Sequence, residues 1–444
     1  MRKIINLIAF LTILSSSIKG QPWTPFCGGN TNGFVVDFTY YRGDLIACGF
    51  FTQIGGIAAN YIARWDGGNW NPMGSGLNGR AHSLLVKNDS LYVTGYFTIA
   101  GGRSAKHIAC WDGSNWSTLG SGFNSNTYGI IEHENELVVG GEFTQADGDT
   151  ALGIARWSGS QWSPLGTGIN GTMDGYPAYI HGMTHFQNKL IVGGNFLRTG
   201  STNTNGVAQW NGTSWDSLGA GFNMNGALGF CEYENTLVAG GSFDSSGNRA
   251  LGNIASWNGT KWLPLGYNGG FSGYVHTLKV IQNDLYIAGG FVTSNAAPID
   301  TFNHIAKFDG TSWSSLGKGV NNDAEPIILY ADHLLVGGNF ISAGDTTAKK
   351  MAIWKLESLP EVIPEEEFII YPNPIQTTLE IKSNENIIKV CIYNLTGERI
   401  ASISDLQLKY LTMDLFSVVE GFYILEVQTQ SGNFINRKFI KLTN

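Results

Sequence analysis

One pattern is repeated along most of the chain, and it limits the possible folds more than any other feature. One copy reads Leu-Val-Val-Gly-Gly-Glu-Phe-Thr at 137–144, and Ile-Ala-Arg-Trp-Ser-Gly-Ser-Gln-Trp-Ser-Pro-Leu-Gly follows at 154–166. An aromatic residue of the second element recurs at intervals of 46 to 53 residues. It stands at Trp65, Trp111, Trp157, Trp210, Trp257, Phe308 and Trp354. A repeat of this length indicates a row of similar units, none of which buries its apolar face alone.

Each unit contains four short strand patterns separated by turn residues. In the second unit they lie at about 81–86, 91–97, 107–112 and 116–119. Asp-Gly or Asn-Gly stands between the third and fourth patterns of five units, and these pairs supply the positive φ of a tight hairpin. Four strands in such a length are typical of one propeller blade. The sequence therefore predicts an all-β chain with a seven-bladed β-propeller over residues 21–357.

The fourth strand pattern indicates how this propeller closes. A second Trp opens the pattern after each of the first six units, at positions 70, 116, 162, 215, 262 and 313. The seventh unit ends after Trp354 without such a pattern, but Trp23-Thr24-Pro25-Phe26 stands near the start of the chain. We therefore expect the N-terminal strand, with Trp23 and Phe26, to complete the last blade beside Trp354. Closure of this kind hides sheet edges that would otherwise pair with other chains.

The repeat also resembles known propeller families. A Gly-Gly doublet after the second strand pattern, with aromatic residues in the next two patterns, resembles kelch-type propellers. The form Ile-Ala-x-Trp-Asp-Gly-x-x-Trp-x-x-Leu-Gly is similar to repeats of fungal cortical bud-site proteins and of bacterial surface propellers. The resemblance covers residues 23–357 and implies the fold. It implies little about function, because propellers serve in binding, scaffolding and catalysis alike.

The first twenty residues have the pattern of a secretory signal peptide. A basic start, Met1-Arg2-Lys3, precedes an apolar run from Ile4 to Leu14 that is too short to span a bilayer. We therefore expect a signal peptide at 1–20 and no transmembrane segment. The five cysteines are widely scattered and predict neither a disulfide framework nor a zinc site. The formal net charge of −8 argues against a nucleic-acid partner.

A different piece follows the repeat. Residues 358–367 contain two prolines and four glutamates, a composition that predicts a linker. Seven strand-like runs then lie between residues 368 and 441, with separate runs at 378–382 and 388–394 and at 399–403 and 408–414. This pattern predicts a small Ig-like β-sandwich over residues 368–444.

Several motifs of this C-terminal piece resemble those of the type A C-terminal sorting domain of the type IX secretion system of Bacteroidetes. They are a Tyr-Pro-Asn-Pro string, an Asn-Leu-Thr-Gly turn, a Gly-Phe-Tyr triplet and a basic final strand. The residues concerned are Tyr371, Pro372, Asn373, Pro374, Gly397, Gly421, Tyr423 and Lys438. The resemblance implies passage through the periplasm and export by the type IX machinery, with the mature protein released or held at the outer-membrane surface.

One position of the repeat collects side chains that can bind a ligand. The residues nine positions before the Leu of each second strand pattern are Val36, His82, Tyr128, His181, Leu228, His276 and Glu325. Because this position begins the innermost strand, we expect it at the mouth of the central channel. Three imidazoles and a carboxylate can bind a metal ion or an anionic sugar there, or they can simply tolerate a wet rim. We predict no metal site, because seven blades spread the side chains around a circle.

Two further places deserve a hypothesis. The longest inserted loop, 167–179, contains Tyr176, which can stack on a sugar ring at the channel face. Asp147 and Asp149 can hold calcium, although a turn explains them as well. No cofactor is predicted.

These observations favour a binding protein over an enzyme. We expect a secreted or cell-surface, non-catalytic adhesion propeller whose ligand is a polysaccharide or a surface protein. Two alternatives remain open. The first is a secreted polysaccharide lyase or glycoside hydrolase, in which His181 or His276 would act with Tyr128 as an acid–base pair. The second is a purely structural surface protein.

Overall fold

The computed structural model describes residues 23–356 and 368–442, except 173–174, 176, 225, 267–269, 296–298, 395–397 and 431–433. The predicted signal peptide and linker lie outside these residues. The described residues form two compact units, of which the first ends at Leu356. Every helix or strand assigned in them is a β-strand, so the prediction of an all-β chain is confirmed.

Seven four-stranded antiparallel sheets make up the first unit over its described residues, and they are numbered here in chain order. The first strands of the seven sheets are Val35–Tyr41, Ala81–Lys87, Thr127–His133, Tyr179–Phe186, Ala227–Tyr233, Val275–Ile281 and Ala324–Tyr330. The second strands are Asp44–Gly49, Ser90–Gly95, Glu136–Gly141, Lys189–Asn195, Thr236–Gly241, Asp284–Gly289 and His333–Gly338.

In the first six sheets the third strand ends, and the fourth strand begins, at one of the repeated aromatic residues. The third strands are Ile62–Trp65, Ile108–Trp111, Ile154–Trp157, Val207–Trp210, Ile254–Trp257, Ile305–Phe308 and Met351–Lys355. The fourth strands are Trp70–Pro72, Trp116–Ser117, Trp162–Pro164, Trp215–Ser217, Trp262–Pro264, Trp313–Ser315 and, in the seventh sheet, Thr24–Pro25. In six sheets the third and fourth strands pair so that their aromatic residues lie directly opposite one another, as Trp111 does to Trp116.

Short hairpins of two-residue strands connect the second and third strands of six sheets. They are Gln53–Ile54 with Ile57–Ala58, Ile99–Ala100 with Arg103–Ser104, Gln145–Ala146 with Asp149–Thr150, Arg198–Thr199 with Thr202–Asn203, Ser245–Ser246 with Arg249–Ala250, and Ser342–Ala343 with Thr346–Thr347. A further strand, Ile169–Asn170, pairs with Arg198–Thr199.

The seven sheets follow one another in a closed cycle. The first strand of each sheet contacts the first strand of the next, and Ala324–Tyr330 of the seventh sheet contacts Val35–Tyr41 of the first. The apolar cores lie between neighbouring sheets. One cluster, for example, joins Tyr233 of the fifth sheet to Leu278 and Trp313 of the sixth.

The N-terminal strand joins the two ends of the cycle. Thr24 pairs with Ile353 and Pro25 with Ala352, so this strand is the fourth strand of the seventh sheet. The Trp23 ring lies 5.2 Å from that of Trp354 and is buried in the core of the sixth and seventh sheets. Phe26 is buried in the next core, where its ring centroid lies 5.4 Å from that of Trp65 in the first sheet.

An indole hydrogen bond is repeated between neighbouring sheets. In six of the seven fourth strands, the Trp Nε1–H donates to the carbonyl three residues after the corresponding Trp of the preceding sheet. The bonds run from Trp23 to Leu316, Trp116 to Met73, Trp162 to Leu119, Trp215 to Leu165, Trp262 to Leu218 and Trp313 to Leu265, at 2.8 to 3.2 Å. The exception is Trp70, whose Nε1 is buried without a partner beside Phe26.

The second unit contains five strands over its described residues: Phe368–Tyr371, Thr378–Asn394, Arg399–Asp414, Gly421–Thr429 and Phe434–Lys441. The expectation of separate strands at 378–382 and 388–394, and at 399–403 and 408–414, is wrong. Each pair is one long strand, and register shifts after Lys382 and Ile387 absorb the irregular middle of the pairing.

The sorting-domain motifs occupy defined places in this unit. Asn373 links the first strand to the last, because its Oδ1 accepts from the Ile440 N–H at 3.0 Å and its Nδ2 donates to the Lys438 carbonyl at 3.2 Å. The Tyr423 hydroxyl donates to the Val419 carbonyl at 2.7 Å, and its ring stacks on Phe439. Gly421 opens the fourth strand. Tyr371 and Pro372, and likewise Asn373 and Pro374, are joined by cis peptide bonds. Gly397 lies outside the described residues.

The indole bond predicts different costs for two similar substitutions. Trp116 and Trp70 are 4% and 5% exposed and each packs on a neighbouring Trp, but only Trp116 donates a hydrogen bond. We expect Trp116→Phe to lower the free energy of unfolding by about 1–2 kcal/mol more than Trp70→Phe, because the second change removes an unpaired buried donor. Urea unfolding of the two variants measures the difference. Equal losses would contradict a stabilising role for the indole bond.

Candidate ligand-binding site in the central cavity

The seven aligned positions found in the sequence are β-bulges. In the first strand of each sheet, the pairing with the second strand skips a residue near its start. The skipped residues are Val36, His82, Tyr128, His181, Leu228 and His276, and in the seventh sheet Glu325 together with Pro326. A bulge leaves one residue out of the ladder and redirects its side chain. One irregularity, repeated in every sheet, therefore sets the positions of these seven residues.

Six of the seven bulge residues line one central cavity of about 280 Å³. The cavity wall consists of Val36, Asp37, His82, Ser83, Tyr128, Gly129, Ile130, His181, Gly182, Met183, Leu228, Gly229, Phe230, His276, Thr277 and Leu278. Glu325 is not part of this wall. Tyr176, predicted at the same face, lies outside the described residues. The structure thus brings together His82, Tyr128, His181 and His276.

The three imidazoles lie close to one another. The ring centroid of His181 is 5.0 Å from that of His82 and 4.9 Å from that of His276, with edge-to-face geometry in both pairs. The His82 Nδ1 lies 3.0 Å from the Tyr128 carbonyl, and the His181 Nδ1 lies 2.9 Å from the Leu228 carbonyl. Each carbonyl belongs to the bulge residue of the next sheet, which has no partner in the strand register. A carbonyl only accepts, so Nδ1 carries the proton and Nε2 is left as an acceptor in both neutral rings.

Burial keeps these imidazoles neutral. It lowers the pKa of His181 to about 3 and that of His276 to about 4, and the charge that His276 would carry lowers the pKa of His181 further. The pKa of His82 is also well below its usual value, because of burial and its two histidine neighbours. Neutral acceptors give no charge to attract an anion, and no Lys or Arg lines the cavity among the described residues. The hypothesis of an anionic sugar is therefore disfavoured by the geometry.

The positions of the histidines do not amount to a metal site among the described residues. The histidines converge more closely than the expected circle of seven blades suggested. Even so, the described part of the chain contains no group of three His, Cys, Asp or Glu side chains arranged to hold a metal ion. Asp147, considered for calcium, uses Oδ1 to accept from the Ser121 N–H at 2.6 Å and Oδ2 to accept from the Trp162 N–H at 2.9 Å. These bonds account for Asp147 as a link between loops, while Asp149 lies in a two-residue strand.

Asp37 is a cavity residue that sequence reasoning missed. It follows the bulge of the first sheet, and its carboxylate accepts from the Phe38 N–H and, across to the second sheet, from the Leu84 N–H, both at 2.8 Å. Burial raises the pKa of Asp37 to about 7, although these two N–H groups and the charge of Lys279 oppose the shift. The sequence does show Asp37 as an acid within a mostly apolar strand. The direction of its side chain, however, depends on the bulge.

A second polar group surrounds Tyr128. Its hydroxyl donates to Glu142 Oε2 at 2.9 Å, and Asn126 and Ser125 donate to the other Glu142 oxygen at 2.6 and 3.1 Å. Burial, together with the neighbouring Tyr96 and Glu142, raises the pKa of Tyr128. The Tyr128 ring stacks on His181 at 5.8 Å, but its proton is held by a carboxylate rather than by an imidazole. The acid–base pair of the enzymatic alternative is therefore not preformed.

Glu325 belongs to a separate acidic group. Burial and the nearby Asp323 carboxylate raise the pKa of Glu325 to about 7. The Tyr274 hydroxyl hydrogen-bonds Asp323, which lies 3.7 Å from His304 Nδ1. Glu325 also contributes to the raised pKa of Tyr96, so these groups lie within electrostatic range of one another.

Three glycines allow the sheets to approach closely at the cavity wall. Gly129, Gly182 and Gly229 occupy the position directly after the bulge in the third, fourth and fifth sheets. A Cβ on each would lie 2.5 to 2.7 Å from the carbonyl of the bulge residue in the next sheet. No side chain fits such a gap, so glycine brings neighbouring bulges near enough for the imidazole rings to touch. Sequence reasoning missed these glycines because the chain contains 59 of them.

Comparison with known proteins identifies the second unit. Residues 369–442 match the family model described as "Secretion system C-terminal sorting domain". The chain therefore carries a type IX sorting domain, and the protein is exported to the cell surface or secreted. No curated protein matches the chain. Among the described residues, no helix is long and apolar enough to cross a membrane.

The chain as a whole is similar in fold to solved extracellular domains. One is the extracellular domain of a putative hybrid two component system of B. thetaiotaomicron, with 7% identity, a TM-score of 0.50, and coverage of 94% of this chain and 56% of that one. Another is that of a putative one component system of the same organism, with 12% identity, a TM-score of 0.46, and coverage of 96% and 59%. The chain thus spans less than two thirds of the length of these relatives. At this identity the first similarity concerns fold only.

The glycine contacts predict a localised loss of stability. In Gly182→Ala the new Cβ would lie 2.6 Å from the Leu228 carbonyl oxygen, so the fourth and fifth sheets must separate. We expect a loss of about 1–3 kcal/mol in the free energy of unfolding. Gly68→Ala is the matched control, because its nearest atom would be 3.7 Å away. Chemical denaturation compares the two variants, and equal stabilities would show that the close approach is unnecessary.

The lowered histidine pKa values predict how stability changes with pH. An unfolded histidine takes up a proton below a pH of about 6.5. His276 in the folded protein stays neutral until a pH of about 4. As the pH is lowered, the unfolded state therefore gains protons first. Between these two pH values the free energy of unfolding decreases by at most about 1.4 kcal/mol for each unit of pH lowered, for one such residue. We expect His276→Gln to lose less stability than the unmodified protein between pH 7 and 4.5. Parallel losses would refute a depressed pKa for His276.

Proposed function

We propose that the protein is a secreted or cell-surface binding propeller that captures a polysaccharide or a surface protein. The seven sheets would be the blades of a seven-bladed propeller, spanning residues 21–357, and the N-terminal strand would close it. The second unit would be an Ig-like, type A sorting domain at 368–444, joined by the linker 358–367 and recognised by the type IX machinery. A signal peptide at 1–20 would direct the chain to the periplasm first.

The observation that carries this proposal is the central cavity. Six bulge residues from six sheets face one space, and the closed cycle of sheets holds them in fixed relative positions. Polar groups on a preformed wall recognise a ligand at little cost in ordering. The His82 and His181 imidazoles are neutral and fixed by bonds to the backbone, which suits recognition more than proton transfer. No catalysis and no cofactor are therefore part of the proposal.

One observation favours a second candidate, a polysaccharide lyase or glycoside hydrolase. Glu325, with a pKa of about 7, has the protonation behaviour of a general acid at neutral pH. The Tyr128 and Glu142 pair lies within electrostatic range of the same Tyr96 as Glu325. Such an enzyme would need a second carboxylate at roughly 5–10 Å from the acid, across the scissile bond.

A binding and cleavage assay on one panel of polysaccharides tests the proposal. The full chain is incubated with neutral, acidic and amine-bearing polysaccharides, and both pull-down and new reducing or unsaturated ends are measured. We expect binding without cleavage, with at least ~10-fold weaker binding by His181→Ala, corresponding to about 1.4 kcal/mol. His333→Ala is the control, because His333 opens a second strand and does not line the cavity.

The other outcomes separate the alternatives. Cleavage that is lost in Glu325→Gln would make the protein an enzyme. Absence of both binding and cleavage, together with failure to capture a surface protein, would leave the structural role. Binding that His181→Ala and His333→Ala change equally would place the site elsewhere.

A further inference from the structure

The polar atoms of the central cavity offer mainly hydrogen-bond acceptors to a ligand. Nε2 of His82 and Nε2 of His181 are acceptors, because Nδ1 of each ring donates to a backbone carbonyl. Neither Nε2 accepts a hydrogen bond from the described residues. Nδ1 of His276 faces the Thr277 hydroxyl at 3.4 Å, so this ring can present the same acceptor. Asp37 adds a carboxylate to the same wall.

The complement of such a wall is a group that donates only. An anion is disfavoured on the same grounds as above, since the described cavity wall has no cationic side chain. A hydroxyl donates once but also brings an oxygen that needs a donor, and of the side chains in this wall mainly the Ser83 and Thr277 hydroxyls can supply one. A primary ammonium donates three hydrogen bonds and accepts none. His82, His181 and His276 offer three acceptors on rings in contact, which matches the three donors of an ammonium.

The charge of an ammonium also finds a partner in this cavity. Burying a cation costs several kcal/mol unless a carboxylate is near it. Asp37 lies in the wall, and a neighbouring cation would favour its ionised form. The Tyr128 ring belongs to the same wall and packs on both His82 and His181, and aromatic rings attract cations. The histidines therefore position the donor atoms while Asp37 balances the charge.

The mixed character of the wall favours a sugar as the carrier of this ammonium. A sugar offers both hydroxyls and apolar C–H faces, and the wall carries histidine, tyrosine, serine, threonine and aspartate beside valine, isoleucine, leucine, methionine and phenylalanine side chains. Tyr128 is the tyrosine of this wall; behind it lie Tyr96 and Tyr179, which do not line the cavity, with ring centroids 5.8 and 5.5 Å from that of Tyr128. Aromatic rings of this kind pack against the apolar faces of sugar rings while hydroxyls meet the polar groups.

We infer that the central cavity binds an amino sugar through its free primary ammonium group, with His82, His181 and His276 accepting its hydrogen bonds and Asp37 balancing its charge. This inference rests on the proposed binding function and narrows its ligand. It also assigns Asp37, which forms the link between the first and second sheets, a direct role in ligand binding.

Three sugars of similar size test the inference without any variant. Binding of D-glucosamine, D-glucose and D-glucuronate to the full chain is measured by isothermal titration at pH 7 and one ionic strength. We expect glucosamine to bind at least ~10-fold more tightly than glucose, which corresponds to about 1.4 kcal/mol, and glucuronate to bind most weakly. N-acetylglucosamine should behave like glucose, because acetylation removes the charge. Equal affinities for glucosamine and glucose, or tighter binding of glucuronate, would overturn the inference.

Variants then locate the site. His181→Phe should weaken glucosamine binding by ~10-fold or more, and His333→Gln, outside the cavity wall, should not. Asp37→Asn should lose the preference for glucosamine over glucose. Circular dichroism checks that each variant is folded; should either cavity variant fail to fold, His82→Gln tests the same wall. Unchanged glucosamine affinity in a folded cavity variant would contradict the assignment.

Competing ligands give the remaining outcomes. Tighter binding of Nα-acetyl-lysine amide than of glucosamine would overturn the sugar assignment in favour of a protein ligand. Zn²⁺ binding that His181→Phe abolishes, without a preference for amines, would make the cavity a metal site and overturn the inference. Capture of a neutral polysaccharide, with no preference for glucosamine, would refute the amino sugar and leave the proposed binding function intact.

Discussion

The first unit depends on one hydrogen bond repeated around the cycle, from the indole of each fourth strand to a carbonyl of the sheet before it. The bond joins sheets, not strands, so it fixes the angle at which each apolar face meets its neighbour. A buried indole that lacked this partner would cost about 1–3 kcal/mol. Six junctions have the bond. At the seventh, where Trp70 lacks it, the chain relies on Phe26 and on the strand that begins after Trp23.

The geometry of the cavity follows from the same close packing at the inner edge. Bulges leave one residue of each first strand unpaired, and the glycines after three of them let the sheets approach until a bulge carbonyl meets the next backbone. Two histidines use their Nδ1–H to satisfy carbonyls that the bulges expose. Their tautomer, their neutrality and their mutual contact thus have a structural origin. The acceptors offered to a ligand are what remains after the backbone has been satisfied.

The sequence predicted those parts of the fold that depend on a period. Repeated Trp and Asp-Gly positions indicated small antiparallel sheets, and the spare Trp23 indicated where the first strand would pair. The aligned histidines were found by counting from Leu45 and its equivalents, because a bulge at one fixed place keeps the count constant. Position along a strand could be predicted in this way, but the distance between strands could not.

The rest depended on contacts between distant residues. Asp37 reads as one acid in a strand, and only the register shows that its carboxylate crosses to Leu84. The circle expected for seven blades is wide at the backbone, yet His181 reaches both His82 and His276 because glycines close the gaps. In the second unit, two pairs of predicted strands merged because a register shift, unlike a turn, leaves little mark in residue type.

The distribution of protons around the central cavity suits the proposed binding function. The Tyr128 hydroxyl donates a hydrogen bond to Glu142, Asp37 accepts from two backbone N–H groups, and Nδ1–H of His82 and of His181 donates to a carbonyl. Tyr128, His82 and His181 would each have to break a hydrogen bond inside the protein before giving a proton to a substrate, whereas Nε2 of both histidines is free to accept one. Glu325 differs, because its raised pKa comes from burial and from Asp323. A wall with its protons held in place is suited to bind a ligand that brings its own donors.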